Sequence, residues 1–523
     1  MNDLGPVTLE HRLLDAIEVG MAPALWAEIQ PDKVAVHEVS GRRRTCGELN
    51  ANANRIARLL RSRGLAAGDA VALLCSNRVE FADVLAAALR TGLRLTPVNW
   101  HLTPDEIAYV VNDCEAKALF ADVRVTGAAE AASACPLLAV RVAIGGDLPG
   151  FEGYEAAMAG FDAGDIDDPV RGYTMLYTSG TTGRPKGVYK PNAQVPTYDA
   201  TYDRDVDVHL CTGPAYHASP MAGDLRRPLN NGVPTVLMDR WDSELVLQTI
   251  EKHRVTRGHF VPIMFQRLLS LPAEVRAKYD LSSIRRITHG AAPCPPEVKQ
   301  ATIEWLGPVL NEYYAGSEGG VGFTITSEEW LRKPGSVGRR PRPEVAKILG
   351  DDGRECAVGV PGAIYLQLAA QGGFEYFKDP GKTEANRQGG YFTMGDVGYL
   401  DADDYLFLTG RNAETIIAGG VNIYPQEIDN ELIKHPAVED SCTVGVPHAE
   451  WGEEVRAVIQ LKAGSTPSEA LKAEILAYAA ARLAKFKVPR SIDFATDLPR
   501  SEAGKIQRNK VRAPYWEGRT RQI

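Results

Sequence analysis

Short apolar segments alternate with amphipathic segments through the first half of the chain, and this alternation limits the folds open to it. Residues 70–74 (AVALL) predict a buried strand between predicted helices at 49–63 and 80–91, and a second strand is predicted at 93–98. Strands buried on both faces and joined by helices form parallel sheets. The same pattern recurs at 235–238, 258–261 and 285–288.

A change of pattern near residue 410 predicts a second domain. Residues 391–408 carry turns and short strands, and residues 410–414 read as a linker. Further helices are predicted at 427–434 and 468–483, and strands at 440–446 and 455–461. We expect an α/β protein with a large N-terminal domain of parallel-rich sheets at 1–410, a hinge at 411–414 and a small α+β C-terminal domain at 415–523.

Composition excludes several classes of protein. The chain is 44% hydrophobic and 24% charged, an ordinary globular balance, and no apolar run approaches the roughly 18 residues that span a bilayer. The first twelve residues lack the layout of a signal peptide, so we expect a cytoplasmic protein without a transmembrane segment, with peripheral membrane contact left open. The net charge of −9 argues against broad nucleic-acid binding.

Two local features refine this picture. Residues 482–523 carry eleven Lys or Arg against four Asp or Glu, which indicates a local anionic ligand such as polyphosphate or, equally, a solvated basic surface. The eight cysteines include no C-x-x-C pair, so we expect no zinc site and largely buried, reduced thiols.

A loop rich in glycine and small hydroxyls follows an apolar stretch at 175–177. Residues 178–187 (TSGTTGRPKG) hold four hydroxyl side chains, three glycines, one lysine and one arginine. Glycines let N–H groups point inward, and these groups, the hydroxyls and a lysine can satisfy phosphate oxygens. The spacing is not that of the nucleoside triphosphatase P-loop. Composition favours phosphate binding over a plain surface loop, through Thr178, Ser179, Gly180, Thr181, Thr182, Gly183 and Lys186.

This loop resembles the signature loop of the adenylate-forming superfamily, which includes acyl-CoA synthetases, luciferases and the adenylation domains of peptide synthetases. Segments that resemble other family motifs follow in order over residues 170–510, and residues 42–65 resemble the family's N-terminal helix. The resemblance implies the adenylate-forming fold, with a small mobile C-terminal domain. Fatty-acid and sterol-acid CoA ligases are most similar, through residues 261–269 (VPIMFQRLL) and 289–298 (HGAAPCPPEV).

Two further segments resemble nucleotide-binding motifs. Residues 313–318 (YYAGSE) resemble Y-G-x-T-E, with serine at 317 in place of threonine, and residues 391–396 (YFTMGD) resemble the ribose-binding motif. An aromatic ring can stack on adenine, and a hard carboxylate suits Mg²⁺ near phosphates. The resemblance implies nucleotide contacts from Ala292, Glu312, Tyr313, Tyr314, Ser317, Asp396, Arg411 and Lys505, and Mg²⁺ contacts from Glu318 and Thr178.

An acyl pocket is implied by two shorter motifs. Tyr216-His217 resembles an aromatic–histidine motif beside the substrate carboxylate, so His217 is expected to orient carboxylate or phosphate. Residues 289–293 (HGAAP) resemble a G-G-A-P stretch in which small residues permit close approach of the ligand, with alanine at 291 replacing the second glycine. The predicted acyl pocket comprises Tyr216, His217, Gly290, Ala291 and Gly316.

The C-terminal part carries the predicted catalytic lysine. Residues 498–506 (LPRSEAGKI) resemble the motif that holds this lysine, which is Lys505 here. Residues 410–414 resemble the family hinge, with alanine at 413 where relatives usually carry Asp or Lys. The predicted catalytic set is Lys505, His217 and Lys186. The predicted hinge and CoA-channel residues are Ala413, Gly419 and Gly420.

The resemblance implies an AMP-forming acyl-CoA ligase that uses ATP, Mg²⁺ and CoA and activates a carboxylic acid as an acyl adenylate. Small or apolar residues at 218–221 argue against an amino acid, although Asp224 leaves one open, and a lipophilic acid, fatty or sterol-derived, is favoured. Two alternatives stay open: an acyl-AMP ligase that loads a carrier-protein thiol, and a non-catalytic nucleotide-binding protein on this fold. The expected partners are the acid, ATP and CoA, with a homodimer left open.

Overall fold

The computed structural model describes residues 8–178, 185–190, 198–350, 352–369, 373–411, 414–418, 421–448, 451–483, 485–501 and 504–517. Within these ranges the helices are α1 (Leu9–Glu18), α2 (Ala22–Ile29), α3 (Cys46–Ser62), α4 (Val79–Arg90), α5 (Pro104–Asp113), α6 (Ala128–Ser133), α7 (Tyr154–Met158), α8 (Arg227–Asn230), α9 (Ser243–His253), α10 (Pro262–Leu269), α11 (Ala273–Arg276), α12 (Pro296–Leu306), α13 (Ser327–Arg332), α14 (Pro380–Ala385), α15 (Pro425–Leu432), α16 (Glu469–Ala480) and α17 (Arg508–Arg512). A π-helix spans Pro220–Arg226, and 3₁₀-helices span Pro343–Val345 and Ala513–Trp516.

The strands in the same ranges form five sheets. They are β1 (Val34–Glu38), β2 (Arg43–Thr45), β3 (Ala70–Leu74), β4 (Arg94–Pro97), β5 (Ala116–Asp122), β6 (Val140–Ile144), β7 (Glu152–Gly153), β8 (Tyr173–Thr174), β9 (Leu176–Thr178), β10 (Lys186–Tyr189), β11 (His209–Cys211), β12 (Thr235–Leu237), β13 (Arg257–Phe260), β14 (Arg286–His289), β15 (Leu310–Gly316), β16 (Gly319–Thr326), β17 (Ser336–Arg339), β18 (Ala346–Leu349), β19 (Gly362–Gln367), β20 (Glu375–Tyr376), β21 (Arg387–Gln388), β22 (Tyr391–Leu400), β23 (Tyr405–Arg411), β24 (Ile416–Ala418), β25 (Val421–Ile423), β26 (Val438–His448), β27 (Gly452–Leu461) and β28 (Ser491–Ala495).

Two large sheets carry the first part of the chain. One has the order β7-β6-β5-β3-β4-β8 and is parallel throughout. The other has the order β16-β15-β14-β13-β11-β12-β1-β2, parallel from β15 to β1 with an antiparallel strand at each edge. Helices α3 and α4 lie in the large apolar core with strand β3, whose residues are all buried. The predicted parallel-rich, helix-covered α/β architecture is thereby confirmed.

Local sequence signals account for several helix boundaries. Thr45 and Glu48 form a capping box at the start of α3, since the Thr45 hydroxyl accepts from the Glu48 N–H and the Glu48 carboxylate accepts from the Thr45 N–H. Predicted strand 70–74 coincides with β3, and predicted helices 49–63 and 80–91 overlap α3 and α4. None of the helices that the structure describes combines the length and apolar character needed to cross a lipid bilayer.

The strands predicted within residues 391–408 are longer than expected. Residues 391–408 were expected to form turns and short strands, but β22 and β23 are long antiparallel partners joined by a tight turn at 401–404. Asp401 closes this turn by accepting from the N–H groups of Asp403 and Tyr405, and Lys333 binds the Asp401 carboxylate at 2.8 Å. Residues 410 and 411, read as linker, belong to β23. The sequence thus indicated strands and a turn here, whereas the length and the pairing of the strands become clear only in the sheet.

The last part of the chain forms a separate small sheet, in the order β25-β24-β27-β26 with β28 parallel to β27. Its apolar residues form their own clusters with α15, α16 and α17. The predicted strands at 440–446 and 455–461 lie within the longer β26 and β27. All eight cysteines of the chain are free thiols, and six of them are buried.

A buried ion pair ties α12 to β15 below the C-terminal edge of the eight-stranded sheet. The Lys299 ammonium is 2.5 Å from the Glu312 carboxylate and 4.9 Å from the centre of the Trp330 ring. Lys299 is fully buried, and Glu312 is 5% exposed. A lysine is buried in this way only when a partner offsets its lost hydration, so each member of the pair requires the other.

We expect Lys299→Met to destabilise the fold by about 3–5 kcal/mol, because it leaves the Glu312 carboxylate buried without a partner. The measurement is the midpoint and slope of urea unfolding. Adding Glu312→Gln to Lys299→Met should recover most of the loss. The exposed Lys278→Met is the matched control and should change stability by less than about 0.5 kcal/mol. Equal effects of the two single lysine substitutions would contradict the proposed role of the pair.

Candidate active site

A cleft opens where the eight-stranded sheet, the β22–β23 hairpin and the C-terminal part of the chain meet. It encloses about 1250 Å³, its open mouth included. Its walls come from the carboxyl ends of β14 and β15, where ligands of parallel sheets usually bind. The predicted site residues that line it are Ala291, Ala292, Glu312, Tyr313, Tyr314, Asp396 and Lys505.

A hydrogen bond between Tyr314 and Asp396 sets one side of the cleft. The Tyr314 hydroxyl donates to Asp396 Oδ2 at 2.8 Å, joining β15 to β22 across 82 residues of chain. The Tyr314 ring also meets Phe323 edge-on, with centroids 6.2 Å apart. An aromatic ring beside a fixed carboxylate suits a base and the two hydroxyls of a ribose.

Lys505 reaches the same cleft on a tight turn. The Ser501 N–H donates to the Lys505 carbonyl at 2.7 Å, and Gly504 adopts a φ of +74° that favours glycine. A Cβ at Gly504 would lie 2.4 Å from Ile263 Cγ2, so the turn rests directly on α10. Arg500 holds the turn from below by donating to the Gly504 carbonyl at 2.9 Å while pairing with Asp440.

The phosphate loop is flanked by two paired strands. Thr178, at the end of β9, is the cross-strand partner of Lys186, at the start of β10. The Lys186 ammonium binds the Asp379 carboxylate at 2.8 Å. The loop residues Ser179, Gly180, Thr181, Thr182 and Gly183 lie outside the described residues, as do Ala413, Gly419 and Gly420; of Arg411 only the backbone is described.

Glu318 lies at the turn between β15 and β16, next to Ser317. Its Oε1 accepts from the Tyr376 hydroxyl at 2.9 Å, and its Oε2 accepts no hydrogen bond from any described residue. A Cβ at Gly316 would lie 2.2 Å from the Met394 sulfur and 3.0 Å from Glu318 Oε2. The lack of a side chain at Gly316 therefore allows β22 to pack close to the Glu318 carboxylate. Glu318 Oε2 is a hard oxygen that could bind a cation such as Mg²⁺.

The other predicted acyl-pocket residues are not among those that line this cleft. Tyr216 is 5% exposed, whereas His217 is partly exposed; its Nε2 atom is buried and forms no hydrogen bond with any described residue. Burial lowers the pKa of His217 to about 4, so the imidazole is neutral at pH 7. Gly290 packs under the Tyr313 ring, whereas Ala291 reaches the cleft with a φ of +65°. The structure thus brings only Ala291 of this predicted set into the open cleft.

Sequence reasoning missed several partners of these residues. Asp379 precedes Pro380 and caps α14, a local signal that the sequence offers, but its pairing with Lys186 spans 193 residues. Tyr376 beside Glu318 and Asp440 beside Arg500 carry no local signal at all. Such contacts depend on the packing of distant segments.

Two family models match the chain. The model for AMP-binding enzymes covers residues 24–370, and the model for the AMP-binding enzyme C-terminal domain covers residues 427–505. Among solved structures, ATP-bound MatB from Rhodopseudomonas palustris is 27% identical, with a TM-score of 0.79 and coverage of 95% of this chain and 99% of that chain. The match to both models agrees with the two-part organisation seen here.

Curated relatives align along nearly the full length. A long-chain-fatty-acid–CoA ligase, FadD13 of Mycobacterium tuberculosis, is 29% identical over 511 residues, 95% of this chain and 96% of its own. A fatty acid–[acyl-carrier-protein] ligase, ScoC of Streptomyces coeruleorubidus, is 30% identical over 92% of this chain and 94% of its own. The indoleacetate–CoA ligase of Aromatoleum aromaticum is 30% identical over 93% and 96%. The chain therefore belongs to the AMP-binding enzymes, the adenylate-forming family of AMP-forming acid–thiol ligases.

Proposed function

We propose that this protein is an acyl-CoA ligase that converts a carboxylic acid, ATP and CoA into acyl-CoA, AMP and pyrophosphate. The observation that carries the proposal is the position of Lys505 in the same cleft as Tyr314 and Asp396. Lys505, a cation from the C-terminal part, thereby lines the same cleft as the hydrogen-bonded pair Tyr314 and Asp396, which suits a nucleoside. A protein that only bound nucleotides would not need this lysine.

In the proposed first step, a carboxylate oxygen of the acid attacks the α-phosphorus of ATP. The new carboxyl-to-phosphorus bond forms as the bond to the bridging oxygen breaks, and pyrophosphate leaves. Negative charge grows on the equatorial oxygens, so a positioned cation lowers the barrier. We assign the α-phosphate to Lys505 and the pyrophosphate to Lys186, which would exchange its partner Asp379 for the ligand.

The neighbouring side chains position the reactants. Asp396 accepts from ribose hydroxyls, Tyr314 holds that carboxylate in place, and neutral His217 orients the acid. Ser317 and Thr178 offer hydroxyls to phosphate oxygens. When bound near Glu318, Mg²⁺ would supply positive charge to the phosphate oxygens.

We propose that, before the second step, the C-terminal part moves about a hinge at 411–414, withdraws Lys505 and brings Gly419 and Gly420 to the thiol. The CoA thiol then loses its proton to solvent, the thiolate attacks the acyl carbon, and AMP leaves with the electron pair of the broken carbon–oxygen bond of the mixed anhydride. The hinge and glycine positions lie largely outside the described residues, so the hinge, the domain limits and the channel stay predictions. A cytoplasmic location, peripheral membrane contact and a homodimer likewise stay predictions.

The residues of the site indicate the type of reaction more directly than they indicate which acid is activated or which thiol accepts the acyl group. We propose a lipophilic acid, supported by the segments around residues 261–269 and 289–298; relatives of similar identity are named for a fatty acid and for indoleacetate. A carrier-protein thiol is a second candidate acceptor, which the similarity to the ScoC ligase favours. We retain CoA as the primary proposal.

The reaction predicts pyrophosphate release that depends on both ATP and an acid. Purified protein is incubated with a panel of short, long-chain, aryl and steroid acids, with CoA, with a holo carrier protein, or with neither. Acyl-CoA should accumulate only when CoA is added. If the acyl group is transferred to the carrier protein and not to CoA, the protein is an acyl-AMP ligase that loads a carrier protein. If no pyrophosphate is released in response to any acid, the protein is a non-catalytic nucleotide-binding protein.

Lys505→Ala should separate the two half-reactions. Because Lys505 is assigned to the α-phosphate alone, we expect acyl-adenylate formation to fall about 100- to 1000-fold while thiol transfer from supplied acyl-AMP stays within a few-fold. Pyrophosphate release and acyl-CoA formation measure the two steps. Lys510→Ala, an exposed lysine five residues away, is the matched control for both. An equal loss in both steps would refute the division of roles.

A further inference from the structure

The acid must lie beside the cleft floor, because its carboxylate has to reach the phosphate near Lys505. Three parallel strands, β13, β14 and β15, end at this floor. The C-terminal part and the β22–β23 hairpin occupy the opposite side of the cleft. The rest of the acid therefore points from Ala291 toward the space between the sheet and the π-helix.

Tyr313 closes that space. A Cβ at Gly290 would lie 2.8 and 2.9 Å from two atoms of the Tyr313 ring, so the ring rests on the backbone of β14's end. The Tyr313 hydroxyl is 2.5 Å from Ser219 Oγ, just before the π-helix, and 3.0 Å from His259 Nε2 on β13. The side chain spans from sheet to helix and is held at its far end by two partners.

Tyr313 stands between the cleft and the two hydrogen-bond partners of its hydroxyl. Tyr313 lines the cleft, whereas its described partners Ser219 and His259 do not. Both hydrogen bonds of the hydroxyl lie on the interior side, and a longer ligand would have to break them before it could pass. Breaking them would leave the Nε2 atom of the buried His259 without its hydrogen-bond partner, which is unfavourable.

The interior beyond Tyr313 does not suit a hydrocarbon chain. His209 and His259 project from the same face of the sheet as Tyr313, since their positions on β11, β13 and β15 alternate in step. Asp224 on the π-helix is 1% exposed, and its Oδ1 is 3.4 Å from His209 Nδ1. Its two oxygens accept no hydrogen bond from any described residue. An alkyl chain or a steroid ring here would lie against polar groups with no water to solvate them.

We propose that Tyr313 forms the far wall of the acid site, so that the protein activates compact carboxylic acids, no larger than a substituted benzoate, rather than long-chain or sterol acids. This inference rests on the proposed function and narrows its lipophilic acid to a compact one. The wall that meets the far end of the acid is the tyrosine ring. An acid whose substituent hydrogen-bonds to Ser219 or His259 can bind only if that substituent displaces the Tyr313 hydroxyl.

Stable acyl-adenylate analogues test the wall without requiring turnover. Calorimetry compares acyl-sulfamoyl adenosines that carry benzoyl, octanoyl and palmitoyl groups, in the full-length protein and in two variants. Tyr313→Ala removes the wall, and Tyr313→Phe keeps the ring while deleting the hydroxyl. If Tyr313→Ala does not fold, Tyr313→Val replaces it.

The native protein should bind the benzoyl analogue at least about tenfold more tightly than the octanoyl and palmitoyl analogues. Tyr313→Phe should keep this order of affinities. Tyr313→Ala should lower the preference for the benzoyl analogue over the longer analogues by about tenfold, or reverse it. The inference would be overturned if the native protein bound the palmitoyl analogue most tightly, or if Tyr313→Ala left the order of affinities unchanged. Either result would leave the proposed function standing. If none of the analogues binds, the nucleotide site and the proposed function fail together.

Discussion

The contact between Gly504 and Ile263 brings the last part of the chain to the nucleotide cleft. No side chain fits at position 504, because its Cβ would lie 2.4 Å from Ile263 Cγ2 and its φ is +74°. The Arg500–Asp440 ion pair and the bond from Arg500 to the Gly504 carbonyl hold the turn rigid on the small sheet. Lys505 can serve the chemistry only while this contact exists, so the assigned first step depends on it.

Charges around the cleft are paired before a ligand arrives, but the pairs differ in burial. Lys299 and Glu312 are enclosed, so they stabilise the floor beneath the base and are costly to separate. The Asp379 side chain is 40% exposed, so its pair with Lys186 is weak and can be exchanged for phosphate oxygens. This contrast explains how one lysine can be structural and the other can act on the nucleotide. Burial lowers the pKa of His217 to about 4, so this side chain adds no positive charge at pH 7.

The sequence predicted most of the fold where local patterns dominate. The apolar run at 70–74, the capping box before α3 and the glycine-rich stretch at 178–187 each signal an element through neighbouring residues alone. It was less accurate at 391–408, where the two strands are longer than the short strands expected, because they pair with β17 and β19. For the site, it named Tyr314, Asp396 and Lys505, which the structure brings together. It did not foresee that the Tyr313 ring would pack on Gly290 and that its hydroxyl would bond to Ser219 and His259.

By itself, the sequence determined which chemical groups the protein can offer: a loop rich in hydroxyls and glycines that is predicted to bind phosphate, a carboxylate predicted to bind ribose and a lysine near the end of the sequence. Only the tertiary structure decided which residues meet. Tyr313 reaches Ser219 and His259, which lie 94 and 54 residues away, and Lys186 meets Asp379. Residue types and spacings record local backbone preferences, whereas contacts between distant segments arise from the packing of whole sheets and helices. The position of the Tyr313 ring, on which the proposed size of the acid site depends, follows from such contacts, and no local pattern encodes it.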